Sequence, residues 1–197
     1  MSFKYYDILS SLIVGIVAFY AIWMLAFPSI IISDWVVIPA GYVVGYFLNA
    51  ISNFIEPVMY ITICGKPSNK LLTPVPGREW TGIRRVKFYF AEQTIESLKE
   101  DLGDEKATTE KMFDYAKSVV NTDKNSRVPD FNGHYALSRV ILTTSFVAVV
   151  LVEIRFYYIW YSWVISIVLL FFAWNRYRER GYYYAREVLS EYLKTKR

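Results

Sequence analysis

The chain has 197 residues, of which 54% are hydrophobic and 18% aromatic, and carries a net charge of +4. Its apolar residues fall in blocks, a distribution that argues against the buried core of a soluble helical protein and for a chain embedded in a bilayer. Cys64 is the only cysteine, which rules out an intrachain disulfide. The sequence holds no Gly-rich phosphate loop, no paired metal-ligand motif and no cysteine beside a histidine, so neither a cofactor nor a metal is expected.

Four apolar stretches set the expected fold class: all-α, a polytopic membrane protein with four transmembrane helices and a small helical cytoplasmic layer. The first stretch covers 8–28 and the second 35–63, each long enough for a hydrocarbon core that takes roughly 20 helical residues. Lys4 is the only basic residue before the first and no small-x-small site follows it, so the segment reads as a retained span, not a cleaved signal peptide. The third, 135–154, carries Arg139 near one end and Glu153 with Arg155 at the other; it spans if these side chains snorkel to the two interfaces. The fourth covers 158–174. The expected divisions are an N-terminal hairpin over 1–64, a helical loop domain over 65–133, a C-terminal hairpin over 134–175 and a helical tail over 176–197.

Between the hairpins, 65–82 contains Pro67, Pro74, Pro76, Gly77 and Gly82 and reads as a turn region. Val86, Phe90, Ile95 and Leu98 predict a helix over 84–102 that Gly103 stops. A second helix over 104–120 aligns Ala107, Met112, Ala116 and Val120, and 121–129 reads as a polar connection. Two such helices bury little alone and should pack on each other, on the tail or on neighbouring subunits. No proline follows the fourth stretch, so a continuous helix is expected to run about 30 Å past it.

The turn over 29–34 has no basic residue, whereas Lys66, Lys70, Arg78, Arg84, Arg85 and Lys87 follow the second stretch and Arg176, Arg178 and Arg180 follow the fourth. The positive-inside rule then places the loop domain and both termini in the cytoplasm. Many of the 17 tyrosines stand with tryptophans at span edges and read as interfacial belts in contact with membrane lipid.

Inside the second stretch Asn49, Asn53 and Glu56 recur at intervals of four and three, with Ser52 beside them, so they share one side of a helix. Polar groups in hydrocarbon are satisfied by interhelical hydrogen bonds or by lining a wet path, and both readings stand for these four residues. Four spans leave little room for a conduit within one subunit, so a conducting form requires a homo-oligomer. Gly41 and Gly45 form a GxxxG pair before the stripe, which suits close approach of another helix. In the loop, Arg78, Arg84, Arg85 and Lys87 make a basic patch that suits anionic lipid, a nucleotide or oligonucleotide signal, or a regulatory protein.

Arg127 and His134 make an R-x6-H pair that resembles the loose signature of HEPN ribonucleases, which implies an arginine and a histidine organising a scissile RNA phosphate. Pro129 and Gly133 interrupt the pair, where the family motif lies at a helix start in a soluble four-helix bundle. The overall layout, together with 49–68, 131–139 and 176–192, resembles the small multi-span membrane effectors of bacterial anti-phage defence systems. That resemblance implies a homo-oligomeric channel or pore gated by a cytoplasmic signal, and it assigns no individual functional residue. A membrane scaffold that binds a soluble partner enzyme and a HEPN-like ribonuclease are the alternatives.

Overall fold

A computed structural model describes residues 5–27, 30, 32–122 and 126–196. Lys4, residues 28, 29 and 31 around the first turn, and residues 123–125 of the expected polar connection lie outside the described residues. The described chain is mostly helical: α1 (Tyr5–Ala26), α2 (Asp34–Thr62), α3 (Pro67–Leu71), α4 (Ala91–Leu102), α5 (Thr109–Asn121), α6 (Val128–Phe156) and α7 (Trp160–Thr195). Two short strands, β1 (Thr81–Ile83) and β2 (Val86–Phe88), lie between α3 and α4. The chain forms two compact units, one made of the residues up to Pro57 with Ala136–Tyr177, the other of Val58–Tyr135 with the residues from Arg178 onward.

The first unit buries little. Val14, Ala18, Leu48 and Val140 form its small core, flanked by Val44, Leu137 and Val147. Much of its apolar surface faces outward, as at Phe54, Ile154 and Ile167. Among the described residues two helical stretches are long and apolar enough to cross a membrane, Asp34–Leu71 and Val128–Phe156, and only 28% of the apolar window of each is buried. The apolar part of α1, Ser11–Ala26, is shorter, and Trp160, Tyr161, Ser162, Trp163 and Ser166 dilute the first half of α7. Length and hydropathy therefore single out two of the four expected spans.

The second unit has a denser core. Leu71, Val86, Leu98, Ala116, Val188, Leu189 and Tyr192 are essentially buried, so α3, the strands, α4, α5 and the end of α7 pack around one centre. The helix expected over 84–102 begins at Ala91 instead, because the preceding residues form an antiparallel hairpin pairing Thr81 with Phe88 and Ile83 with Val86. Val86 and Phe88 are buried and Lys87 is exposed, a two-residue period that belongs to a strand. Gly82 makes the hairpin possible: its φ is +107°, and a Cβ there would lie 2.4 Å from the Val86 carbonyl oxygen. The chain is thus mostly helical and all-α as expected, with one two-stranded hairpin added.

Gly103 ends α4 in the left-handed conformation, and the Asp104 amide donates to the Lys99 carbonyl at 3.2 Å. The next helix starts at Thr109, later than the expected 104, since Asp104 and Thr108 bond locally to the backbone. Asp104 Oδ1 accepts from the Lys106 amide at 3.0 Å, and Thr108 Oγ1 accepts from the Lys111 amide at 3.3 Å as the N-cap. At the other end of the unit α6 starts at Val128 and runs unbroken, so Pro129 and Gly133 do not interrupt it. Pro129 lies in the first turn, where a missing N–H is no loss.

Tyr192, fully buried, fastens α7 to α4: its hydroxyl lies 2.6 Å from Asp101 Oδ2 and 3.2 Å from the Ser97 carbonyl. Lys196 also pairs with Asp101. Hydrogen bonds from Lys196 and then Tyr192 hold the Asp101 carboxyl below its ordinary range. Burial, and then the Asp101 carboxylate, push the Tyr192 hydroxyl well above the usual tyrosine value. A raised tyrosine pKa contributes stability that is present below about pH 10 and is lost as pH rises from there toward the folded value. Tyr192→Phe is expected to cost about 1 kcal/mol at neutral pH and to reduce the alkaline loss to the part due to Lys196, whose pKa Asp101 also raises. Urea unfolding in detergent at neutral pH and above pH 10 checks both.

Candidate functional site

The polar stripe of α2 divides once α2 is packed. Ser52 is fully buried and its hydroxyl donates back to the Asn49 carbonyl at 2.7 Å. Glu56 is satisfied across the helices: Arg139 Nη1 of α6 donates to Glu56 Oε2 at 2.7 Å, with the two side chains 12% and 20% exposed for Arg139 and Glu56. A carboxylate and a guanidinium this far out of water need one another, since an isolated charge in such surroundings is costly. Arg139 is therefore an interhelical partner and not merely an end residue reaching for an interface. Asn49 is half-buried and Asn53 is exposed.

Asn53 shares its outward face with Tyr46 and Pro57. Pro57 lies four positions on and has no N–H to give to the Asn53 carbonyl. The helix thus offers a side-chain amide and a backbone carbonyl at one place on an exposed face. Hydrocarbon cannot satisfy either group; water or another chain can.

The GxxxG pair has a partner, and it is α1. A Cβ on Gly15 would stand 1.9 Å from the Gly41 carbonyl oxygen, and one on Gly45 would stand 1.9 Å from that of Ser11. One on Gly41 would lie 2.8 Å from Ile16 Cα. Backbone meets backbone at this crossing, so Gly15 belongs to it as much as Gly41 and Gly45 do. Gly15 has no glycine at four-residue spacing in its own helix, and so carried no pattern to mark it.

Glu153, expected with Arg155 at a span end, is buried, while Arg155 is exposed. Ser166 Oγ of α7 lies 2.6 Å from Glu153 Oε1, and Ser162 Oγ lies 3.0 Å from Oε2. The same two serines, with Val152, Ile165 and Leu169, line an apolar cleft of about 430 Å³ between α6 and α7. The carboxylate ties the two helices together.

In the second unit the basic patch sits on the hairpin and the loop before it. Arg84 and Arg85 form the tip, and Arg78, Arg84, Arg85 and Lys87 are all exposed. Arg78 and Lys87 both lie against the Trp80 ring, their charged groups 5.2 Å and 5.1 Å from its centroid. Arg85 pairs with Glu179 of α7 at 3.7 Å. Trp80, the centre of this arrangement, is a residue that charge counting passes over. Arg127 and His134 are both exposed, and the Arg127 guanidinium lies 5.8 Å from the centroid of the Phe131 ring. Arg127 immediately precedes α6, and His134 lies in its second turn.

The chain matches no protein-family model, no curated protein and no solved structure.

Proposed function

We propose that the chain is a four-span protein of a bacterial inner membrane that assembles into a homo-oligomeric conduit, with α2 nearest the conducting path and a cytoplasmic signal controlling it. The observation that carries this reading is Asn53, exposed on a membrane-length helix with Pro57 leaving its carbonyl without the usual helical donor. Those groups call for water or a neighbouring subunit at that depth. The low burial of the two membrane-length stretches supports insertion in lipid, because the core helix of a soluble protein is mostly buried. Outward-facing Ile167, Phe171 and Phe172 support a span in the first half of α7. Cytoplasmic placement of the second unit rests on the positive-inside distribution, and a role in anti-phage defence rests on the resemblance of layout.

Glu56 and Arg139 would act as the latch of such a device. The pair holds α2 to α6, and a signal that shifts α2 has to overcome it. Asn53→Leu is expected to abolish ion flux across liposomes while leaving assembly intact; undiminished flux in this variant contradicts a conduit along α2. The scaffold reading draws support from the independent core of the second unit and its exposed basic hairpin. Recovery of a stable enzyme partner by a chain that never conducts favours it.

A further inference from the structure

We propose that the β1–β2 hairpin is a docking element for the anionic headgroups of the membrane that holds the chain. Its tip presents Arg84 and Arg85, and Lys87 and Arg78 flank Trp80, giving four exposed cations on the hairpin and the loop before it. Directly after β2, Tyr89 and Phe90 are 55% and 52% exposed, and Val75 in the preceding loop is 47% exposed. Cations interleaved with exposed aromatic and aliphatic side chains match a lipid surface, where the charges meet phosphates and the rings enter the headgroup layer.

Arg85 also pairs with Glu179 of α7 at 3.7 Å, which ties the tip to that helix; the proposal rests on the reading of the chain as membrane-embedded. A nucleotide or oligonucleotide is recognised by the same charges but gives no role to Val75, Tyr89 and Phe90 at one interface. Lipid docking uses both sets of residues.

The test places the full-length chain in nanodiscs of phosphatidylcholine alone and of phosphatidylcholine mixed with phosphatidylglycerol. Amide hydrogen exchange is then read over residues 84–90. Slower exchange in the anionic discs is expected, reversed at 1 M salt, where the screening length falls to about 3 Å. Loss of one positive charge near an anionic surface corresponds to about five-fold in the docked population, so Arg84→Glu should remove most of the protection. Arg84→Glu leaves the Arg85–Glu179 pair in place, and Tyr89→Ser/Phe90→Ser provides an independent loss from the apolar side. Identical exchange in the two lipids overturns the proposal. So does protection by a short oligonucleotide or a nucleotide in neutral discs without protection by lipid, which assigns the surface to that ligand. Alkaline extraction of the same membranes reports separately on whether the chain is inserted at all.

Discussion

Arg139→Leu is expected to destabilise the first unit by about 3–5 kcal/mol, and Glu56→Leu by a comparable amount, because either change strands a charge that is largely withdrawn from water. The double replacement Glu56→Leu/Arg139→Leu should recover most of that loss. Two apolar side chains of similar bulk need no partner, and exchange of a buried ion pair for them is often neutral. Thermal unfolding of the four chains in one detergent closes the cycle, with a coupling of about 2 kcal/mol or more expected for residues in direct contact. Strictly additive losses contradict the pairing seen at 2.7 Å. The cycle also bears on gating: if the pair is a latch, the folded double variant conducts without its signal.

Gly15→Val should be the most damaging single change along the crossing of α1 and α2. Even the first added carbon meets the Gly41 carbonyl oxygen at 1.9 Å and the Gly45 amide nitrogen at 2.5 Å, and these are backbone atoms that cannot rotate away. α1 and α2 then have to separate along the crossing, at a cost of about 2 kcal/mol or more. Gly133→Ala supplies the contrast, since a Cβ there meets nothing within 4 Å and the residue lies inside α6. Its replacement by alanine removes backbone freedom from the unfolded chain and should stabilise by roughly 0.5–1 kcal/mol. Equal behaviour of the two variants in thermal unfolding rules out the close crossing.

The long helices were legible because each contains a long, mainly apolar stretch, and the continuity of α7 followed from the absence of proline after Trp174. The hairpin was not legible as such. Val86 and Phe90 are spaced like a helix face, and the alternation of Val86, Lys87 and Phe88 is too short to outweigh that spacing until Gly82 is considered as a required positive-φ position. The delayed start of α5 depends on Asp104 and Thr108 bonding to nearby amides, a local competition that apolar periodicity does not register. Within α2 the stripe was visible as a set, but spacing alone does not say which members meet another helix. Glu56 and Arg139 were the available clue: opposite charges near the same predicted interface, on two spans of opposite direction. Glu153 gave the reverse case, since its place at a span end beside Arg155 does not reveal that Ser162 and Ser166 of the next helix hold it.

The most direct test of the central claim is single-particle imaging of the full-length chain in lipid nanodiscs, at a resolution that traces α2. A closed ring of subunits, with Asn53 turned to its axis and Glu56 held by Arg139 in the resting state, is the predicted result. A monomer or a compact dimer in which Asn53 is covered by a neighbouring helix, with no water-filled path along α2, contradicts it.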